Sequence, residues 1–402
     1  MNSNIDFLIV GAGFYGVTIA RMLTDAGYKC LIIDKRYHIG GNCFSIPDKN
    51  GLYDVHVYGP HIFHTSDLSV AQFITNYTKF NNYQQNTIAN NNGELYHLPF
   101  NMNTFYSLFG VITPEDAYNK LQEEIDEANE TYKDRNDLEA VANKLVGKTI
   151  YNKLIKDYTE KQWNQKCSEL PGDIIKRIPL RFNYDDNYFN DLFYGVPNNG
   201  YTSVIKNIID GNAYDQKLHI PIVYILNIDY NENRDFWRSI AKNVIYCGSI
   251  DELFDYRLGE LEWRSLRFED KQYRYNGKNG QGTAIINYTD KTTNATRSVE
   301  HMYFTKEKWL NKTDFDSVIT TEFPEDYEKG KERYYPINND KNNELYNKYI
   351  ELLTTEMPNV IPGGRLGKYK YFDMDDVIKE AINDANLIIN AIKQKNTNTN
   401  NG

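Results

Sequence analysis

The first forty residues constrain the fold of this chain more than any other stretch. An apolar run at residues 7–10 leads directly into the glycine motif GAGFYG of residues 11–16, and a helical pattern follows. A second apolar run then ends at Asp34. This order of strand, glycine turn, helix, strand and acidic residue is typical of a βαβ unit that binds a dinucleotide. The sequence therefore predicts a Rossmann-like start to the fold.

Each residue type in this unit has a physical task at a dinucleotide. Gly11 permits the tight turn, Gly13 lets the backbone approach a pyrophosphate, and Gly16 lets the helix pack closely on the strand. The helix that follows the glycine turn directs its free N–H groups and the positive end of its dipole toward the phosphates. Asp34 is placed to accept hydrogen bonds from ribose hydroxyls.

The segment after the second strand indicates which dinucleotide is bound. Lys35 and Arg36 precede a glycine doublet, Gly40 and Gly41, which is followed by Asn42. A nicotinamide cofactor needs no second phosphate-facing turn at this point, whereas FAD lies extended across the sheet and reaches the next domain. The doublet favours FAD, and an ordinary loop is the alternative interpretation.

Length and composition limit the classes of protein to which the chain can belong. Its 402 residues are too many for one simple core, so two or three domains are expected. The formal net charge of -10 disfavours a nucleic-acid or membrane-surface partner, and an anionic ligand would need locally gathered arginines. Scattered cysteines, no signal peptide and no long apolar run predict a cytoplasmic protein without integral membrane association.

The middle of the chain predicts two further structural units. From residue 114 apolar residues recur at helical spacing, and Thr113 and Asp137 are candidate N-caps of successive helices. Gly147 is placed to end the second of these helices. Between about residues 265 and 323, short β-rich runs alternate with polar turns, which predicts an antiparallel sheet.

Two late segments predict a return to the first domain. The apolar run at residues 244–248 ends in a glycine and is typical of a buried strand. The glycine turn at residues 363–364 precedes a final amphipathic helix. This turn either offers further N–H groups to the cofactor or forms a plain loop before a packing helix.

A pair of histidines, His61 and His64, raises the question of a metal site. Residues three apart on an extended backbone point to opposite faces, and no cysteine or acidic cluster accompanies these two. The sequence therefore predicts no metal, and it favours a histidine that faces the cofactor.

A series of motifs closely resembles those of the UDP-galactopyranose mutase family. They occur in family order from about residue 5 to 392, and YTEKQW and LPFNMNTF are far more specific than a Rossmann motif. The matching segments are residues 11–16, 35–42, 58–65, 98–105, 158–163, 175–182, 186–189, 334–336, 363–366 and 369–374.

The resemblance implies an α/β fold with a discontinuous Rossmann-like FAD-binding domain, an inserted helical domain and an antiparallel β-sheet domain. The expected division is residues 1–80, 193–252 and 338–395 for FAD, 99–170 for the helical domain, 81–98, 171–192 and 253–337 for the sheet and substrate, and 396–402 for a disordered tail.

The resemblance also implies an isomerase that interconverts UDP-galactopyranose and UDP-galactofuranose and supplies galactofuranose for glycan synthesis. In that family the reaction is net redox-neutral but requires reduced FAD, whose N5 acts as nucleophile on the anomeric carbon. The family is often dimeric, so a homodimer is expected. The chain offers no protein nucleophile or Ser/His/Asp set, which agrees with a nucleophile supplied by the cofactor.

Site residues follow from the resemblance, position by position. Arg177 and Arg297 would face the diphosphate of UDP and, with His64 beside the isoalloxazine, form the catalytic set. Arg181 lies in the same loop as Arg177 and is expected mainly to brace it. The implied substrate-binding residues are Tyr158, Trp163, Arg177, Tyr188, Arg297, Tyr335, Tyr371 and Asp373. The implied cofactor-binding residues are Gly11, Gly13, Phe14, Gly16, Asp34, Lys35, Arg36, Gly41, Asn42, His61, Arg365 and Leu366.

Three alternatives stay open from the sequence. A flavin amine oxidase shares the βαβ start and the glycine doublet, but it has no use for arginines and tyrosines on a diphosphate. An inactive nucleotide-sugar-binding protein would keep Arg177 and Arg297 but would tolerate loss of the glycine fingerprint, which is intact. Related enzymes accept UDP-N-acetylgalactosamine, whereas His64 matches the galactose type.

Overall fold

The computed structural model describes residues 5–175, 178–213, 216–217, 219–312 and 314–400. The α-helices are α1 (Phe14–Asp25), α2 (Leu68–Thr75), α3 (Met102–Phe109), α4 (Pro114–Thr131), α5 (Leu138–Ile150), α6 (Lys156–Trp163), α7 (Gly200–Asp210), α8 (Arg234–Ile240), α9 (Ile250–Leu253), α10 (Lys306–Trp309), α11 (Asp340–Glu356), α12 (Gly364–Gly367) and α13 (Met374–Asn400). The strands are β1 (Ile5–Val10), β2 (Cys30–Asp34), β3 (Ser45–Pro47), β4 (Asp54–His56), β5 (Phe63–Thr65), β6 (Thr87–Asn91), β7 (Glu94–Leu98), β8 (Phe193–Gly195), β9 (Asn212–Ala213), β10 (Gln216–Lys217), β11 (Val223–Leu226), β12 (Ala241–Tyr246), β13 (Trp263–Tyr275), β14 (Ile285–Tyr288), β15 (Arg297–Glu300), β16 (Phe315–Asp326), β17 (Tyr335–Pro336) and β18 (Val360–Pro362).

A five-stranded parallel sheet, in the order β11-β2-β1-β12-β18, carries the βαβ unit that the sequence predicts. Its central strand is apolar on both faces, because helices cover both sides of the sheet. Phe7 and Ile9 are buried in one cluster with residues of α1, α7 and α13, whereas Leu8 is buried with residues of α11 on the other face. The Rossmann-like start and the late return of β12 to this sheet are confirmed.

The second sheet has seven strands in the order β17-β13-β16-β15-β14-β6-β7. Its pairs are antiparallel, as expected, except that β14 and β6 run parallel, with Ile285 opposite Thr87. The whole helical region separates these two strands in the chain, so no tight turn imposes an antiparallel direction on them. The sheet is therefore mixed rather than wholly antiparallel.

Helices α3 to α6 pack around a core of their own. Thr113 and Asp137 each accept a hydrogen bond from the backbone N–H three residues on, at 3.1 and 3.2 Å, so both predicted N-caps are confirmed. Gly147 interrupts α5 with a φ of 75°, at the position where the sequence predicted a helix end. A π-helical turn at Tyr151–Ile155 then leads into α6.

The end of the chain differs from the expectation of a disordered tail from residue 396. Helix α13 continues to Asn400. Each residue added to an existing helix gains a backbone hydrogen bond without a new nucleation step, so a helix anchored by buried Ala381 and Ala385 extends into a segment of low helix propensity. The division of the chain into three domains stays a prediction.

A buried carboxylate ties α4 to α5. Glu124 is 8% exposed, and its side chain accepts hydrogen bonds from the N–H of Thr149 at 2.8 Å and from the hydroxyl of Thr149 at 2.6 Å. Gly147 leaves room for this carboxylate, since a Cβ at that position would lie 2.6 Å from a Glu124 oxygen. The break in α5 therefore exposes a backbone N–H that Glu124 satisfies.

We expect Glu124→Ala to lower the free energy of unfolding by about 1–3 kcal/mol, because two donors of Thr149 lose their buried acceptor. Glu123→Ala is the matched control, since Glu123 is the preceding residue of α4 and its side chain is 71% exposed. That control should change the same free energy by less than about 0.5 kcal/mol. Denaturant unfolding followed by circular dichroism measures both, and equal effects would contradict this role of Glu124.

Candidate functional site

One cavity of about 760 Å³ lies where the carboxyl ends of β1, β2 and β12 meet the second sheet and α6. Open parallel sheets bind ligands at this edge. All described residues that the sequence assigned to a cofactor or substrate line this cavity, and Arg177 lies outside the described residues. They are Gly11, Gly13, Phe14, Gly16, Asp34, Lys35, Arg36, Gly41, Asn42, His61, His64, Tyr158, Trp163, Tyr188, Arg297, Tyr335, Arg365, Leu366, Tyr371 and Asp373. Their individual roles stay predictions.

The glycine turn after β1 is shaped by close backbone contacts. Gly11 has a φ of 117°, and a Cβ on Gly16 would lie 1.9 Å from the carbonyl oxygen of Gly11. Helix α1 starts after Gly13 with no side-chain cap and no acidic residue in its first turn. The N–H groups of that turn therefore offer an anion site at the cavity wall.

The glycine doublet packs directly on this turn. Gly40 donates its N–H to the carbonyl of Ala12 at 2.8 Å. Gly41 has a φ of 56°, and a Cβ there would lie 3.2 Å from Cα of Gly13. Glycine is needed here for both conformation and space, so the doublet forms a second wall of the same cradle.

Asp34 and Arg36 continue the cradle beyond β2. The carboxylate of Asp34 accepts hydrogen bonds from the N–H of Ala12 at 2.7 Å and from the N–H of Arg36 at 2.8 Å, which fixes its orientation at the cavity. Arg36 donates to the side chain of Asn42 at 2.8 Å and forms an ion pair with Glu332. Burial lowers the pKa of Arg36, but its contacts with Glu332 and attraction to Tyr58 and Asp34 together outweigh burial, and the net shift is upward.

Two histidines of the cavity have distinct surroundings. The ring of His61 shares its Nδ1 with the carbonyl of Gly59 at 2.7 Å, so Nδ1 carries the hydrogen and Nε2 is left as an acceptor. Burial lowers the pKa of His61 to about 4, and the ring is neutral at pH 7. His64 contacts the carboxylate of Asp191 at 2.9 Å and stacks on Phe189 at 4.0 Å.

Arg297 projects from β15 and is paired with Glu322 of the neighbouring strand β16. Its Nε donates to the carboxylate of Glu322 at 2.9 Å, and that carboxylate is 1% exposed. Burial lowers the pKa of Arg297, but attraction to Glu322, Tyr158 and Tyr335 together outweighs it and raises the pKa, so the guanidinium is charged. The two terminal nitrogens of Arg297 have no hydrogen-bond partner within the described part of the chain. They are therefore available to an anion in the cavity.

Glu322 was missed by the sequence analysis. Its contact with Arg297 follows from the strand register, which sets these two residues opposite each other. No tight hairpin joins β15 to β16, so the sequence does not fix this register. Knowledge of the pairing alone would have identified Glu322 as the partner of Arg297.

An aromatic wall faces the cavity from α6, β17 and the segment before α13. The rings of Tyr335 and Tyr371 stack at 5.8 Å, and Trp163 lies 6.2 Å from Tyr335. The guanidinium of Arg365 lies over Tyr371 at 4.9 Å. Burial raises the pKa of Tyr335, so its hydroxyl is a neutral donor at pH 7. Asp373, just before α13, completes this side of the cavity.

The loop that follows residue 178 is held by Arg181. The guanidinium of Arg181 donates to the carbonyls of Asp185 at 3.1 Å and Phe189 at 3.3 Å. The backbone N–H of Tyr188 in the same loop donates to the carbonyl of Gln85 at 2.9 Å. Arg181 therefore braces the loop, the role expected from the sequence, and Tyr188 is anchored beside the cavity.

The cavity combines a phosphate cradle with a second group of cations and neutral hydroxyl donors. These groups suit a dinucleotide and an anionic ligand bound side by side. A protein of net charge -10 needs locally gathered arginines to bind an anion, and the cavity provides them. Within the described residues, no three His, Cys, Asp or Glu side chains are grouped to hold a metal ion. No helix in that same part of the chain has the length and apolar character needed to cross a membrane.

Comparisons with known proteins agree with this arrangement. The family model of UDP-galactopyranose mutase matches residues 153–371, and that of the NAD(P)-binding Rossmann-like domain matches residues 9–77. A probable UDP-galactopyranose mutase of Klebsiella pneumoniae is 37% identical over 394 residues, covering 97% of this chain and 96% of the relative. A dTDP-fucopyranose mutase of Escherichia coli is 36% identical over 397 residues, covering 96% and 99%.

A solved structure shares the fold. The crystal structure of a reduced UDP-galactopyranose mutase superposes with a TM-score of 0.69, at 15% identity and with 96% of each chain covered. The family model covers more than half of this chain, and full-length relatives exceed 30% identity. The chain therefore belongs to the UDP-galactopyranose mutase family.

Proposed function

We propose that this protein binds FAD and interconverts the pyranose and furanose forms of a nucleoside-diphosphate sugar, with UDP-galactose as the first candidate. The observation that carries the proposal is the Arg297–Glu322 pair, which presents a charged guanidinium at the same cavity as the dinucleotide cradle. Sugar transfer from a nucleoside diphosphate requires a cation for the leaving diphosphate. A simple flavin oxidase has no such requirement.

The residues of the cradle fit FAD. A Cβ on Gly41 would lie 3.2 Å from Cα of Gly13, and α1 offers free N–H groups. The carboxylate of Asp34, oriented by the N–H of Ala12, would accept hydrogen bonds from the ribose. FAD would be held by these residues together with Arg36 and Asn42. When bound and reduced, it would supply the nucleophile at N5 for the anomeric carbon, as the family resemblance implies.

The chain's own residues would bind and polarise the sugar nucleotide. Arg297 would contact the diphosphate through its two terminal nitrogens, since Glu322 occupies the third. Tyr335 and Tyr371 would add neutral hydroxyl donors, which bind a diphosphate without further charge. We also assign Arg177 to the diphosphate on the basis of the motif around it.

Other residues would orient the reacting groups. Tyr158 and Trp163 lie on α6 and would contact the base and the sugar, since both line the cavity and Trp163 lies beside Tyr335. Neutral His61 would present an acceptor nitrogen toward the cofactor. His64 is held by Asp191 and would lie beside the isoalloxazine. We further propose the three-domain division given above and a homodimer.

The sugar has a second candidate. The relative described as a dTDP-fucopyranose mutase is nearly as similar to this chain as the relative described as a UDP-galactopyranose mutase. A deoxysugar on a thymidine diphosphate is therefore a specific alternative substrate. UDP-N-acetylgalactosamine is a third substrate to test, because related enzymes accept it.

The proposal is tested by chromatography of nucleotide sugars after incubation with the purified holoprotein, with and without dithionite. We expect UDP-galactofuranose to convert to UDP-galactopyranose only under reduction. Conversion of the dTDP-fucose pair alone would move the assignment to the second candidate. If a yellow, folded protein converts none of the three sugars under reduction, the mutase proposal is wrong.

A substitution of Glu322 tests the role of Arg297. Glu322→Gln keeps an acceptor oxygen for Nε of Arg297 but removes the charge, so kcat/KM should fall roughly 30-fold, equivalent to about 2 kcal/mol. FAD content, measured by the visible absorbance of the purified protein, should be unchanged, because among the described residues the side chain of Glu322 pairs with Arg297 and not with a cradle residue.

The matched control for this substitution is Glu325→Gln on the same strand. Glu325 pairs instead with Arg267 and Lys331. We expect its kcat/KM to stay within about twofold of wild type, as for other exposed ion pairs. Equal losses in the two variants would show that Glu322 has no special link to turnover.

A further inference from the structure

Lys161 of α6 makes an unusual set of contacts outside the cavity residues assigned above. Its Nζ donates to the carbonyl oxygens of Tyr288 at 2.8 Å, Thr293 at 2.8 Å and Ala295 at 3.0 Å. Tyr288 ends β14, and Thr293 and Ala295 lie in the connection from β14 to β15, at residues 289–296. A side chain of the helix thus holds one turn of the second sheet at three points.

The contacts match the donor capacity of a lysine. An ammonium group has three N–H donors and no acceptor, and here each donor has its own carbonyl. Hydrogen bonds from a charged donor are stronger than those between neutral groups. Loss of the ammonium would leave these three carbonyls without this partner.

The clamped turn leads directly to Arg297. Ala295 is two residues before Arg297, and the N–H of Tyr288 donates to the carbonyl of Thr296 at 2.9 Å. The N–H of Thr296 in turn donates to the carbonyl of Glu322 at 2.9 Å. The turn therefore sets where β15 begins and how Arg297 meets the carboxylate of Glu322.

The other end of the clamp is the aromatic side of the cavity. Lys161 lies between Tyr158 and Trp163 on α6, and both of those residues line the cavity. The position of α6 on the second sheet thus determines the separation between these aromatic side chains and Arg297. The three hydrogen bonds of Lys161 connect the helix that carries the aromatic side chains to the segment that precedes Arg297.

We propose that Lys161 is a positioning residue, whose ammonium fixes the β14–β15 turn on α6 and thereby sets Arg297 opposite Tyr158 and Trp163. Its effect on turnover rests on the proposed mutase function, but the clamp itself is a property of the fold. The two claims are therefore tested by separate measurements.

Charged groups near Lys161 determine its pH response. Burial lowers the pKa of Lys161 to about 8, although Asp290 of the turn and Asp157 of α6 attract the ammonium and oppose this shift. Lys291 of the same turn pairs with Asp157 at 3.4 Å. Because a neutral amine has only two N–H donors, the clamp weakens as pH rises through about 8, and kcat/KM should fall with it.

The first test measures the clamp without turnover. Hydrogen exchange followed by mass spectrometry on the holoprotein at pH 7 should show faster exchange of residues 289–296 in Lys161→Met than in wild type, by about tenfold or more. Lys291→Met is the matched control: it removes one ion pair to α6 from a side chain on the same turn that is 65% exposed, and it should leave the exchange of these residues near wild type. Unchanged exchange in Lys161→Met would overturn the proposal, whether or not the protein is a mutase.

The second test measures positioning through the pH profile. Lys161→Met should lower kcat/KM at pH 7 by about 10- to 100-fold, the scale of a small misplacement of a binding group. Lys161→Arg keeps its charge above pH 8 and should retain more activity, with the alkaline limb moved to higher pH. If that limb stays near pH 8 in Lys161→Arg, Lys161 is not the group that positions Arg297. The comparison of Lys161→Arg with wild type tests the proposal even if Lys161→Met does not fold.

Discussion

The half-buried cations at and beside the cavity each have an acceptor of this chain as partner. Arg297 faces the buried carboxylate of Glu322, Arg36 faces Glu332, and Lys161 faces three carbonyls. An unpaired cation at such positions would carry a large desolvation cost. In a chain of net charge -10, these local pairings are what allow positive groups to gather around an anionic ligand.

The same pairings hold separate parts of the chain together. Arg36 follows β2, whereas Glu332 precedes β17, and their ion pair links the parallel sheet to the second sheet. Arg264 of β13 donates to the carbonyl of Gln162 at 2.8 Å, next to Lys161 on α6. The same contacts therefore provide partners for the cations and hold the parts of the cavity together. A substitution that removes one charge changes both the electrostatic potential in the cavity and the positions of the side chains around it.

The sequence predicted those features that depend on interactions between residues close together in the chain. The glycine turn, the N-caps at Thr113 and Asp137, and the strand predicted at residues 244–248 depend on neighbours in the chain, and all three are confirmed, the strand at residues 241–246. The parallel pair of β6 with β14, Glu322 beside Arg297, and the carbonyls around Lys161 depend on register between distant segments. The motif YTEKQW identified α6 as part of the site, yet it gave no reason to separate Lys161 from its neighbours.

The identity of the sugar depends on weaker interactions than those that bind the diphosphate. Fucose lacks the 6-hydroxyl of galactose, and relatives described for each sugar are 36% and 37% identical to this chain. A pocket that hydrogen-bonds the hydroxyl rejects the deoxysugar by about 10⁴-fold or more, whereas an apolar pocket rejects the hydroxyl by only about 100-fold. The ratio of kcat/KM for the two sugars carried on the same nucleoside diphosphate therefore reports which kind of pocket surrounds carbon 6. A large ratio in favour of galactose would require a buried polar partner there, and a small ratio in either direction would indicate an apolar wall.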